Sequence, residues 1–116
     1  MFKYDYYRAE TPDEVCEVLA RYQGKACIVA GGTDIMVQIR EKDKRWKELE
    51  CLLDLSFLED ELRYIREEGD QIHIGALTTH TDLERSEVIK RWIPFLGKAA
   101  STVGSPQIRN RGTIGG

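Results

Sequence analysis

The chain has 116 residues, of which 32% are charged and 41% are hydrophobic, which is the composition of an ordinary globular protein of modest size. With 17 Lys and Arg against 20 Asp and Glu, its net charge of −3 argues against nucleic-acid binding through a basic face. The sequence contains no apolar run of membrane-spanning length and no apolar signal-peptide core near its start, so we expect a cytoplasmic protein.

The first helix is strongly marked between Thr11 and Gly24. Thr11 can cap it, Pro12 suits the first turn, and Glu14 completes a T-x-x-E capping box. Gly24 stops the helix. Apolar side chains recur between these ends at the spacing of one helix face, at Val15, Val18, Leu19 and Tyr22.

Two short apolar runs predict buried strands, at residues 26–30 and 51–55. A pair of glycines follows the first run, and Thr33 or Asp34 can then cap a short helix. The N-terminal part of the chain is therefore predicted to be β-α-β-α-β. A shift in composition near Ser56 indicates that a second small unit begins there.

The second unit begins with a predicted hairpin whose strands are residues 63–66 and 71–74, joined through "EEGD". Thr81 and Glu84 offer a second capping box ahead of another helix. A last helix is predicted to start at Pro94 and to stop at Gly104 and Pro106. The stretch after it reads as an irregular loop.

Two glycine-rich stretches are the candidate binding sites. In "AGGTDI" the glycines allow close approach of a ligand to the backbone, and the helix that follows offers unpaired N–H groups to a phosphate. The alternative is a tight turn that binds nothing. In "QIRNRGTIGG" the glycines suit an irregular backbone with several free N–H groups, which is an anion-binding composition. Arg109 and Arg111 can bind a phosphate or pair with surface carboxylates, and the alternative is a solvated loop.

Other polar residues give no catalytic or metal site. Cys16, Cys27 and Cys51 lack a C-x-x-C spacing and are predicted to be buried, reduced thiols. His73 and His80 have no Asp or Ser partner at motif spacing and are expected to be surface residues. RNA binding through "QIRNRG" would rest on two arginines in an acidic chain.

Three segments, "IVAGGTDIMVQIR", "IHIGALTTHTDLE" and "GSPQIRNRGTIGG", together resemble the FAD-binding subunit of molybdenum hydroxylases, the family of xanthine and nicotinate dehydrogenases. The resemblance implies an α+β (α/β) fold of the PCMH type, with FAD-binding subdomains at 1–55 and 56–116. It implies that two loops hold the FAD diphosphate, and it places the turn 74–79 near the flavin. The implied cofactor-binding residues are Ile28, Val29, Ala30, Gly31, Gly32, Thr33 and Asp34 in the first loop, and Gly112, Thr113, Ile114, Gly115 and Gly116 in the second.

The resemblance also implies an electron-transfer role. Electrons would reach FAD from an iron–sulfur subunit, which a molybdopterin-binding subunit supplies by hydroxylating a purine or similar heterocycle, and would leave to NAD or another acceptor. Thr33 and Asp34 match the xanthine and nicotinate branch better than the carbon monoxide branch, where His-Ser is usual. Family members continue beyond the closing glycines, so the chain is expected to be a truncated N-terminal piece that is inactive alone. The alternative is a non-catalytic interaction module that does not hold FAD by itself.

Overall fold

A computed structural model describes residues 5–30 and 48–116 of the chain. The chain divides into two compact units, Met1–Glu59 and Asp60–Gly116, each with its own sheet and its own core. The mixture of helices and strands agrees with the predicted fold class. The assignment of residues 1–55 and 56–116 as two FAD-binding subdomains stays a prediction.

The described part of the first unit contains a parallel sheet of three strands. Its strands are β1 (Asp5–Arg8), β2 (Ala26–Val29) and β3 (Cys51–Asp54). Their order is β1-β3-β2, so the last of the three in the sequence lies at the centre. All four residues of β3 are buried, as expected for a central parallel strand that is covered on both faces.

Helix α1 (Pro12–Tyr22) connects β1 to β2, and its predicted start is confirmed. The Thr11 side chain accepts a hydrogen bond from the Glu14 N–H at 3.1 Å. The helix ends through Gln23, which takes the left-handed conformation with φ 47°. The Tyr22 hydroxyl donates to the Asp5 carboxylate at 3.1 Å, which ties the end of the helix to the start of β1.

The three cysteines have free thiols, and two of them are buried. Burial raises the pKa of the Cys27 thiol to about 11. The prediction that all three are buried is wrong for Cys16, which is exposed on α1. Val15 and Val18 take the buried face of that helix, and the position next to Val15 consequently points to solvent.

A 3-10 turn (Ser56–Leu58) and α2 (Glu59–Leu62) lead to the antiparallel hairpin of the second unit, β4 (Ile65–Glu68) and β5 (Gln71–Ile74). Gly69, in the two-residue turn between the strands, has φ 60°, which favours glycine. The first strand begins two residues later than predicted. The Tyr64 N–H donates to the Thr78 hydroxyl and not across the hairpin, while the Tyr64 carbonyl accepts from both the Thr78 hydroxyl and the Gly75 N–H.

Short helices complete the second unit within the described residues. They are α3 (His80–Arg85), α4 (Glu87–Trp92), α5 (Pro94–Ala100) and α6 (Pro106–Arg111). The sequence predicted two helices here and treated residues 106–111 as a loop, which is wrong. Ser105 caps α6 by accepting a hydrogen bond from the Ile108 N–H at 3.3 Å, and Pro106 occupies its first turn.

The cap of α3 also differs from the prediction. Thr79, not Thr81, is the N-cap, and Asp82 supplies the reciprocal side-chain bond of the capping box. The Thr81 hydroxyl instead donates to the Asn110 side chain at 2.5 Å. The hairpin and the helices enclose a core formed by Leu83, Ile89 and Ala100, against which pack Ile65, Ile72, Ile74, Ile93 and Leu96.

No helix in residues 5–30 or 48–116 combines the length and the apolar character needed to cross a membrane.

Candidate functional site

The first predicted loop, Ile28–Asp34, is described only at its start, because Gly31, Gly32, Thr33 and Asp34 lie outside the described residues. Ile28 and Val29 are the last residues of β2. The Val29 carbonyl accepts a hydrogen bond from the Leu55 N–H at 3.1 Å, which fixes the end of β2 against the end of β3. Ile28 remains 42% exposed, so the prediction that this strand is covered on both faces is wrong at this position.

The second predicted loop, Gly112–Gly116, is described completely and lies in the other unit. It leaves the end of α6, where the Gly112 N–H donates to the Ile108 carbonyl at 2.7 Å. The loop then runs antiparallel to Ala76–His80, the 76–80 segment, with Thr113 opposite Thr79. This segment follows the hairpin and ends at His80, the first residue of α3.

Three hydrogen bonds dock the second loop on the 76–80 segment. The His80 N–H donates to the Gly112 carbonyl at 3.1 Å. In the opposite direction, the Ile114 N–H donates to the Thr78 carbonyl and the Gly115 N–H donates to the Ala76 carbonyl, each at 2.9 Å. The loop therefore has a defined backbone that its own unit supports.

The prediction that this loop has several free N–H groups is wrong. The N–H groups of Gly112, Ile114 and Gly115 are donated as described, and that of Gly116 is donated to the Thr113 carbonyl at 3.2 Å. Within residues 5–30 and 48–116, the Thr113 N–H alone among the five has no carbonyl acceptor. The Thr113 hydroxyl lies in the same turn and donates to the Gly116 carbonyl at 2.9 Å.

Two glycines of this loop are needed for different reasons. A Cβ at Gly115 would lie 2.7 Å from the Ala76 carbonyl oxygen and 2.9 Å from the Ala76 Cβ, so no side chain fits while the loop stays docked. Gly116 has φ 124°, a conformation that other residues rarely adopt, and a Cβ there would meet nothing within 4 Å. The backbone at Gly116 can therefore be approached closely from outside.

The two arginines of "QIRNRG" have different surroundings. The Arg109 guanidinium donates through Nη1 to the carbonyls of Val103 and Gly104, at 3.1 and 3.2 Å, and so holds the turn before α6. Neither predicted alternative, a phosphate or a surface carboxylate, describes this contact. Arg111 is exposed at the end of α6.

Side chains beneath the 76–80 segment form a network that the sequence did not predict. The Thr78 side chain is 1% exposed and bonds both backbone polar groups of Tyr64. The Asp82 carboxylate accepts from the Thr79 N–H at 3.0 Å and from the Arg63 guanidinium at 2.7 and 2.9 Å. The Arg63 hydrogen bonds lower the pKa of Asp82, against the opposing effect of partial burial.

His80 lies at the junction of this network and the loop. It is the first residue of α3, and its ring packs against the start of the loop, since a Cβ at Gly112 would lie 3.1 Å from the His80 Cδ2 atom. His73 lies in β5, where its Nε2 is within hydrogen-bonding distance of the Gln71 side chain, at 3.1 Å.

Comparison with known proteins gives a consistent result. The family described as the FAD binding domain in molybdopterin dehydrogenase matches residues 2–116. The chain is 43% identical to a nicotinate dehydrogenase FAD-subunit from Eubacterium barkeri, over 100% of the chain and 38% of that relative. It is 36% identical to a xanthine dehydrogenase FAD-binding subunit from Escherichia coli O157:H7, over 96% of the chain and 37% of that relative.

A solved structure of carbon monoxide dehydrogenase from Hydrogenophaga pseudoflava is also similar, with a TM-score of 0.88 and 35% identity. The similarity covers 99% of the chain and 39% of that structure. Each of these relatives is thus matched over well under half of its own length.

Proposed function

The chain belongs to the family of FAD-binding domains of molybdopterin dehydrogenases, and on that premise we propose that it is the FAD-holding part of an electron-transfer subunit of a molybdenum hydroxylase. The observation that carries the proposal is the second loop, Gly112–Gly116. Its backbone is docked on its own unit, and within the described residues the Thr113 N–H is left without a carbonyl acceptor. A fixed backbone with one donor to spare suits an anionic ligand.

The exposed parts of both loops fit the chemistry of FAD. A diphosphate needs donors and an unobstructed approach to the backbone, which the Thr113 N–H and Gly116 offer. The flat rings of the cofactor need apolar surface, and Ile28 and Ile114 are 42% and 39% exposed, one in each loop. Each of these isoleucines is a large exposed side chain, and apolar contact with the cofactor would cover it.

Under this proposal the cofactor-binding residues are those of the two loops, Ile28–Asp34 and Gly112–Gly116, and the chain supplies no catalytic residue. When bound, FAD would supply the redox chemistry, because the flavin ring can take up and release electrons. The part of the chain is to bind the cofactor and to orient it. Thr113 contributes its backbone donor, Ile114 covers apolar surface and keeps water from it, and Gly116 leaves room for close approach.

The wider role is proposed from the relatives, which are longer than this chain. The relatives named above are FAD subunits of nicotinate and xanthine dehydrogenases. We expect partner subunits that carry iron–sulfur clusters and molybdopterin, a heterocyclic substrate that is oxidised on the molybdopterin subunit, and NAD or another final acceptor. The cytoplasm is the expected compartment.

Titration with FAD tests the proposal directly. We expect the folded chain to retain flavin absorption after filtration, and Gly115→Val to weaken FAD binding by about tenfold or more, because the new side chain forces the loop away from Ala76. Ala99→Val is the matched control, since it places the same side chain at an exposed position of α5. It should bind FAD as the natural chain does.

The proposal is rejected if the natural chain unfolds cooperatively, and is therefore folded, but takes up no flavin. That result would favour the alternative of a non-catalytic interaction module. Light scattering of the purified chain would then test the alternative, because a strictly monomeric chain at high concentration would argue against self-association.

A further inference from the structure

The second loop depends on the position of two carbonyl groups in the 76–80 segment. The Ile114 N–H is bonded to the Thr78 carbonyl and the Gly115 N–H to the Ala76 carbonyl, each at 2.9 Å. A shift of this segment would therefore move the loop residues that are proposed to meet the cofactor. What fixes the segment also fixes the geometry of the loop.

Thr78 is bonded on both sides. Its carbonyl holds the loop, while its hydroxyl donates to the Tyr64 carbonyl at 2.9 Å and accepts from the Tyr64 N–H at 3.2 Å. The side chain is 1% exposed, so water cannot replace these bonds. Thr78 thus connects Tyr64, just before the hairpin, to the second loop, through its buried hydroxyl on one side and its carbonyl on the other.

The neighbouring residue is fixed in a similar way. The Thr79 N–H donates to the Asp82 carboxylate, which the Arg63 guanidinium holds from the other side. The residues before β4 bond two successive positions of the 76–80 segment directly, since the Leu62 carbonyl accepts from the Leu77 N–H at 2.8 Å and Tyr64 bonds Thr78. Arg63 acts on Thr79 only through Asp82. Among these contacts, the Tyr64–Thr78 contact involves the residue whose carbonyl bonds the loop, and Thr78 is 1% exposed.

We infer that Thr78 is a positioning residue for the cofactor loop. Its hydroxyl, by bonding both backbone groups of Tyr64, sets the carbonyl to which Ile114 is bonded. The inference rests on the proposed function only for the identity of the ligand. The mechanical link between Thr78 and the loop can be measured without FAD.

Hydrogen exchange of individual amides, measured by NMR on the chain without FAD, tests the link. Thr78→Val removes the hydroxyl at almost constant volume, and Thr78→Ser keeps it. In Thr78→Val we expect the Ile114 and Gly115 amides to exchange about tenfold faster, because the lost buried hydrogen bonds release the segment that holds them. In Thr78→Ser their rates should stay within about twofold of the natural chain.

The reference amide is that of Ile93, which donates to the Ile89 carbonyl at 2.8 Å in the same unit but away from the 76–80 segment in the sequence. Its exchange rate reports openings of the unit that are not specific to the 76–80 segment. If Thr78→Val accelerates Ile93 as much as Ile114, Thr78 is only a stabilising residue and the inference fails. It also fails if the loop amides of the natural chain are unprotected, or if Thr78→Val leaves them unchanged.

FAD titration of the same variants separates this inference from the proposed function. If the natural chain binds FAD, Thr78→Val should weaken binding by about tenfold, and Thr78→Ser should bind FAD about as tightly as the natural chain does. If the natural chain does not bind FAD, the proposed function fails, while the exchange rates of Ile114 and Gly115 still decide whether Thr78 positions the loop.

Discussion

Replacement of Asp82 by asparagine should lower the free energy of unfolding of the second unit by about 1–2 kcal/mol. The Asp82 carboxylate accepts two hydrogen bonds from the Arg63 guanidinium, at 2.7 and 2.9 Å, and one from the Thr79 N–H at 3.0 Å. The side chains of Arg63 and Asp82 are 40% and 27% exposed, so solvent screens the pair and its share is about 1 kcal/mol at most. The weakened capping box of α3 accounts for the rest.

The effect should depend on pH in one direction. The pKa of Asp82 is lowered from its ordinary value of 3.8 by the Arg63 hydrogen bonds, although partial burial opposes this. A carboxyl group whose pKa is lowered by folding contributes stability that is fully present above its ordinary pKa and is lost as the pH falls through the lowered value. Once Asp82 is protonated, the natural chain and Asp82→Asn should have similar stabilities.

Urea unfolding at pH 7 and at a series of acid pH values measures both effects. Glu87→Gln is the control, since the Glu87 side chain is 83% exposed and pairs with Lys90 at 3.5 Å, so its removal should change stability by less than about 0.5 kcal/mol. The reasoning is refuted if Asp82→Asn is as stable as the natural chain at pH 7. It is also refuted if the difference does not shrink as Asp82 becomes protonated.

Two further outcomes follow from burial. Leu83 is 1% exposed at the centre of the second core, so Leu83→Ala should lower the free energy of unfolding by about 2–5 kcal/mol, measured as a large fall in the urea midpoint. A loss below about 1 kcal/mol would contradict the core assignment. Cys16 is exposed while Cys27 and Cys51 are buried, so a thiol reagent should modify one cysteine quickly in the folded chain and all three in urea. Fast reaction of Cys27 in the folded chain would contradict the described sheet.

The features that the sequence predicted correctly are those set by neighbouring residues. Helix α1 begins where Thr11 and Glu14 indicate, because both partners of the cap lie within four positions of each other. The second strand of the hairpin was likewise predicted at the bounds it has, residues 71–74, and its Ile72 and Ile74 pack against the core of the second unit. Family membership was predicted from three motifs in order and is confirmed over residues 2–116.

The features that were missed depend on residues far apart in the sequence. Two pairs of residues have the same cap spacing, Thr79 with Asp82 and Thr81 with Glu84. The choice between them depends on distant side chains, since Arg63 bonds Asp82 and Asn110 bonds Thr81. The composition of the second loop indicated an open backbone. Two of its N–H groups are instead bonded to carbonyls of residues 76–80, a pairing that no local pattern reveals. The T-x-x-D spacing at Thr79 was the one local signal that pointed to this network.

The order of strands in the first sheet has a consequence for synthesis of the chain. Within the described residues, β1 and β2 do not pair with each other, because each is bonded only to β3. Asp5 of β1 and Ala26 of β2 lie on either side of Cys51. When the ribosome has synthesised β1 and β2, the strand with which both of them pair has therefore not yet been made. The nascent chain can form α1 early, since its contacts are local, but the sheet must wait for Cys51–Asp54 to emerge.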